Sequence, residues 1–98
     1  MQTIKTRTWE DGDERRTISV GQLPDGSVCA RQNTEGDLTQ FAFGGNMHGA
    51  ECSFAPTEGY GLDDFLGILD GDDVYLSDFC DALDRLGIQY QRFEGVLA

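Results

Sequence analysis

The hydrophobic period of the chain changes near its middle, and that change predicts most of the fold. Up to residue 43, apolar and polar positions alternate in short runs. Thr3–Trp9 is rich in Thr and apolar residues, as strands are. A charged turn, Glu10–Arg16, precedes a second run, Arg16–Gln22, with Ile18 and Val20 on one face. Leu23-Pro24-Asp25-Gly26 reads as a turn, because proline presets φ and glycine accepts a positive one. Ser27–Gln32 follows as a third strand, with Val28 and Ala30 on one face and Cys29 on the other. Asn33–Asp37 reads as another turn, and Leu38–Phe43 as a fourth strand with Phe41 and Phe43 pointing the same way. Short strands joined by tight turns are expected to pair as antiparallel neighbours.

Gly44–Gly59 shows no clear period. Glu51–Phe54 fits a short strand, and the remainder reads as a loop crossing the sheet. From residue 61 the period lengthens. Leu62, Phe65, Leu66 and Leu69 fall at i, i+3, i+4 and i+7, which predicts a helix near 61–70 ended by Gly71. Asp63 and Asp64 lie in its first turn, where the helix dipole favours them. A second helix is expected near 77–86, with Ser77 as N-cap, Phe79, Ala82, Leu83 and Leu86 as its buried stripe, and Gly87 just past its end. Ile88–Phe93 alternates again and closes the fold as a strand. The expected architecture is α+β, an antiparallel β-meander of four to five strands with two helices of the C-terminal half packed on one face. It forms a single domain, residues 1–98.

Charge adds what periodicity cannot. The chain has 18 Asp and Glu against 7 Lys and Arg, a net charge of −11. Residues 1–50 hold seven of these acids and five bases, whereas residues 51–98 hold eleven acids and two bases. From Glu58 to Asp84 there are nine acids and no base. Such a face repels free nucleic acid and anionic membranes and attracts basic surfaces, including those that normally hold nucleic acid. The bland counterpart is acidity that serves solubility or high salt, which fits twelve Asp against six Glu. Salt adaptation, however, spreads its charge, and here the charge is concentrated.

Candidate chemistry narrows further. Asp70 and Asp72 open like a calcium loop, but Tyr75 stands where the loop needs glycine, and Asp81 where it needs glutamate. His48 and Cys52 resemble half of a zinc site, with the other half lacking a close pair. Cys29, Cys52 and Cys80 are odd in number and widely spaced, which points to buried free thiols. No nucleophile elbow, P-loop or dinucleotide fingerprint occurs, and adjacent carboxylates such as Asp63 and Asp64 do not face each other on a helix. The expectation is a non-enzymatic protein with no cofactor and no metal. The N-terminal residues carry no apolar signal region, and no apolar run nears the roughly 20 residues of a membrane span, so the expected compartment is the cytoplasm.

What remains is the acidic helical row: Asp63, Asp64, Asp70, Asp72, Asp73, Asp78, Asp81 and Asp84. Helical neighbours at i, i+3 lie about 5–6 Å apart at Cβ, so the row can present a phosphate-like ladder. Asp81 and Arg85, at i, i+4, are placed to neutralise each other, and Tyr60 and Tyr75 are candidate anchors beside the row. In size, acidity and lack of catalytic motif, the chain resembles the DNA-mimic inhibitors of phages and mobile elements, the anti-CRISPR and anti-restriction class. The resemblance implies a bacterial host cytoplasm and a protein partner whose basic surface binds nucleic acid, such as a nuclease or a CRISPR surveillance complex. Two alternatives stand beside it: an antitoxin or immunity-type protein covering a basic toxin by the same physics, and a non-enzymatic structural or accessory subunit whose sheet edge or β-face carries the contact while its acidity serves solubility.

Overall fold

The computed structural model describes residues 1–45 and 47–96. Five strands form one sheet in the order β1-β2-β3-β4-β5, every neighbour antiparallel. The strands are β1 (Gln2–Asp11), β2 (Glu14–Gln22), β3 (Val28–Glu35), β4 (Met47–Phe54) and β5 (Gln91–Val96). Three helices interrupt them: α1 (Asp37–Phe43), α2 (Leu62–Leu69) and α3 (Leu76–Leu86). The α+β meander expected from the periodicity is the fold.

The core follows from that alternation. Ile18, Val20, Val28, Ala30, Ala50, Cys52 and Phe54 point to one side of the sheet and are all buried. There they meet Phe65, Leu69, Leu76, Phe79 and Leu83 of α2 and α3, together with Val74 between them. Phe65 joins the two sides: its ring centroid lies 4.9 Å from that of Phe54 and 4.8 Å from that of Phe79. Both helices cover the same face of the sheet. The opposite face carries small polar side chains, among them the cross-strand pairs Thr6–Ser19 and Thr8–Thr17.

Leu38–Phe43 is not a strand. It belongs to α1, and its alternation loses to capping chemistry supplied from elsewhere in the chain. The Glu14 carboxylate, on the first residue of β2, accepts the Leu38 N–H at 3.2 Å and the Thr39 hydroxyl. It thereby satisfies a backbone donor that a helix start leaves orphaned. Gly36 and Gly44 bracket the helix at φ 129° and 82°. At Gly36 the backbone also passes so close to the β1–β2 turn that a Cβ would lie 2.7 Å from the Asp13 carbonyl oxygen. Phe41 is therefore turned outward, 92% exposed, instead of inward.

Residues 47–54 are a full strand between β3 and β5, where the sequence predicts mostly loop. Its inward residues include His48, Ala50 and Cys52, too small or too polar to register as an apolar run. β5 starts at Gln91, later than expected, because Ile88 and Tyr90 first pack against the core. The helices start on main-chain caps. Asp64 accepts the Gly61 N–H at 2.7 Å, and Asp78 accepts the Tyr75 N–H at 2.8 Å, so Tyr75, not Ser77, is the N-cap of α3. Gly87 closes α3 in the left-handed conformation, and the Ile88 N–H reaches back to the Leu83 carbonyl at 3.0 Å.

Candidate functional site: the acidic helical layer and its clasp

Every acid of the predicted row is exposed to solvent. The structure nevertheless divides them by occupation. Asp70 forms an ion pair with Lys5 of β1, and Asp73 one with Arg16 of β2. Asp64 and Asp78 cap the helices, as above. Asp84 accepts a hydrogen bond from the Tyr90 hydroxyl, which pushes the phenol up to about 12. Asp63, Asp72 and Asp81 have exposed carboxylates with no ion pair or side-chain hydrogen bond among the described residues. No ion pair links Asp81 to Arg85 among the described residues.

The run from Glu58 to Asp84 is thus not without counter-charge. Its cations come from β1 and β2, which sequence separation hid. β-alternation puts Lys5, Arg7, Trp9 and Arg16 on the helix-facing side of two adjacent strands, with Arg7 opposite Ile18 and Trp9 opposite Arg16. These four side chains clasp the α2–α3 connection. Arg7 Nη1 donates to the Leu69 carbonyl at 2.6 Å and to the Gly71 carbonyl. Trp9 Nε1 donates to the Asp72 carbonyl at 2.9 Å. The guanidiniums of Arg7 and Arg16 sit 4.7 and 4.9 Å from the Trp9 ring centroid, and that of Arg16 lies 3.7 Å from the Tyr75 ring. A cation over an aromatic face is attracted by the ring quadrupole, the more so when desolvated, and the Arg16 side chain is only 13% exposed.

The two tyrosines part company. Tyr60 packs against Phe54 and Phe65, at centroid distances of 5.6 and 6.3 Å, and works as a half-buried edge of the core. Tyr75 is 46% exposed and presents a ring to solvent.

The remaining candidates separate as well. His48 and Cys52 lie four residues apart on one strand, a span of about 13 Å. No group of three His, Cys, Asp or Glu converges as a metal site would require among the described residues. All three cysteines are buried. Burial and the neighbouring Glu51 carboxylate push the Cys29 thiol up to about 11, and burial beside Cys80 raises that of Cys52 further. Both are therefore poor nucleophiles. No helix among the described residues is long and apolar enough to cross a membrane. Comparison of the chain with protein-family models, with curated proteins and with solved structures returned no match.

Proposed function

We propose that the protein is an inhibitor that lays its acidic helical layer on the basic, nucleic-acid-binding surface of a partner protein. One observation carries the reading. The cations that reach the layer from the sheet, Lys5, Arg7 and Arg16, are turned beneath it to hold the α2–α3 connection, and only Arg85 lies within the layer, on α3, while Asp63, Asp72 and Asp81 face outward without an ion pair among the described residues. Asp64, Asp78 and Asp84 stay exposed beside them and add to the same field. Along α3, Asp78, Asp81 and Asp84 recur every three residues, a rise of about 4.5 Å each. Phosphates on one strand of a duplex recur every 3.4 Å of axis. The match is one of sign and approximate density, which suffices for steering and competition.

The test is affinity capture from a bacterial lysate, with retained proteins identified at low and high salt and then assayed for nucleic-acid binding. The proposal expects a nucleic-acid-binding protein that added salt releases, that excess duplex DNA displaces, and whose own binding to DNA this chain blocks. Retention that is insensitive to salt and to DNA would count against it.

A further inference from the structure

Beside the clasp, the β1–β2 turn, α1 and the α2–α3 connection enclose a cleft of about 460 Å³. Trp9, Arg16, Leu38 and Tyr75 wall it, and the carboxyl-bearing residues Glu10, Asp11, Glu14 and Asp73 surround them. Leu38 is 69% exposed, and Phe41 on the same short helix is 92% exposed, so apolar surface stands open at the acidic end of the molecule. Two buried polar atoms lack a hydrogen-bond partner among the described residues, Arg16 Nε and Thr34 Oγ1, and both belong to residues lining this cleft. Orphaned polar atoms are rare in folded proteins and call for an explanation.

We propose that this cleft receives an arginine side chain from an extended, basic segment of the partner. Three features select that chemistry. The first is charge. Glu10 and Asp73 already hold Arg15 and Arg16, and Glu14 caps α1, but Asp11 has no such partner among the described residues. At the same end the Asp13 and Asp37 side chains share a hydrogen bond, and that bond, followed by the repulsion of the two like charges, raises the Asp37 carboxyl above its ordinary value. The pair lies outside the cleft lining and adds to the negative field at its mouth, where Asp11 is the carboxylate left open to a cation.

The second feature is the clasp itself, a chain of alternating planes: Arg7, Trp9, Arg16, Tyr75. It ends on an aromatic ring that is 46% exposed. An incoming guanidinium continues that alternation, stacking on Tyr75 with its stem along Leu38 and its fork toward Asp11. An ammonium has no plane with which to stack. The third is the pair of orphaned atoms, for which an extended peptide brings carbonyl oxygens once its entry shifts Tyr75. The inference deepens the proposed function, since Tyr75 and Asp73 belong to both surfaces. It differs in predicting a discrete, arginine-selective anchor where the helical layer offers only a field.

Trp9 is the sole tryptophan and lines the cleft, so the full-length protein reports on its own occupancy. The experiment titrates blocked hexa-arginine and, separately, blocked hexa-lysine, following Trp9 fluorescence and the NMR shift of its indole N–H. The expected result is saturable binding of the arginine peptide about tenfold tighter than the lysine peptide, of the order of one desolvated cation–π contact. Leu38→Lys, at an exposed position, should remove that preference with the circular dichroism spectrum unchanged. Asp63→Lys with Asp81→Lys should weaken both peptides equally and leave it intact. Equal affinities for the two peptides, or an arginine preference that survives Leu38→Lys, would overturn the cleft while leaving the helical layer standing. Loss of native-host capture in the Asp63/Asp81 variant alone speaks for the layer; loss in Leu38→Lys alone speaks for the cleft and against the layer.

Discussion

Arg16 shows how far one residue's role can lie from its sequence neighbourhood. It sits in a cluster of charged residues at the start of β2, where a solvated cation is the natural reading. Strand alternation turns it under the helical layer, between Trp9 and Tyr75 and against Asp73. Its removal takes away a largely buried cation, two aromatic contacts and an ion pair together. We expect Arg16→Ala to cost about 2–3 kcal/mol in urea unfolding. Arg31→Ala, which breaks only the half-exposed pair with Glu51, should cost under about 1 kcal/mol. Equal losses would show that the clasp does not hold the connection. The same arrangement sorts the acids for mutagenesis. Reversing Asp64, Asp70, Asp73, Asp78 or Asp84 removes a cap, an ion pair or the bond to Tyr90 as well as a charge. Asp72 and Asp81 test charge cleanly, and Asp63 nearly so, since it makes no side-chain bond among the described residues but lies in the first turn of α2, where the helix dipole favours an acid.

At the scale of elements, α2 and α3 depend on a few aromatic contacts. Phe65 is fully buried between Phe54 and Phe79, and Phe65→Ala should cost about 3–5 kcal/mol, measured by chemical denaturation. α1 depends instead on polar contacts with the β1–β2 turn, and pH probes them. Because the Asp13 side chain raises the Asp37 carboxyl, the folded chain holds that proton more firmly than the unfolded one. Stability from this pair is therefore greatest below the unfolded value and is lost as pH rises through the folded one. Asp25 and Asp70 run the opposite way. The Ser27 N–H and Lys5 hold them below the ordinary carboxylate value, and their contribution is lost on acidification. Asp13→Asn should accordingly melt above the wild type at pH 7, with the difference shrinking as pH falls toward the carboxylate range. A constant difference across that range would mean that the two carboxylates do not interact.

How much of these elements was legible follows from where their causes lie. The first two strands and both long helices are set by local period and turn residues and appear close to where the period places them, whereas β3 runs on to Glu35 through residues that read as a turn, and Leu86, expected in the buried stripe of α3, is exposed. α1 was not legible, because the side chain that caps it, Glu14, arrives from another hairpin, and Phe41 and Phe43 alternate as a strand would. β4 was hidden by Gly49, Ala50 and Cys52, which fit a crowded sheet interior but carry little apolar signal. The acidic row was plain in the sequence. Its division into engaged and unengaged carboxylates was not, since Lys5 and Arg16 are 65 and 57 residues from the acids they hold. The cleft had no local signal, because its walls come from three separate segments.

The molecule as a whole carries a net charge of −11 across an extent of 41 × 25 × 24 Å. Like charges at that density oppose compaction and are screened by salt over a Debye length of about 8–10 Å. Raising sodium chloride from 20 mM to 500 mM should therefore raise the melting temperature while weakening partner binding. A protein whose acids served solubility alone would show the first effect without the second. Among the described residues no helix or strand covers the sheet face opposite the helices, which carries Phe93, 63% exposed beside Arg31 and Glu51. It is the surface the accessory-subunit alternative would use. The most direct discrimination is capture from the bacterial lysate by three proteins in parallel: the wild type, the variant with Asp63, Asp72 and Asp81 changed to Lys, and a control in which Phe93 is changed to Lys. If the acidic layer is the working surface, the triple variant keeps the wild-type circular dichroism spectrum and loses the nucleic-acid-binding partner, while the Phe93 control retains it. If the folded triple variant captures that partner as well as the wild type does, and the Phe93 control does not, the helical layer is not the working surface and the bare face of the sheet is.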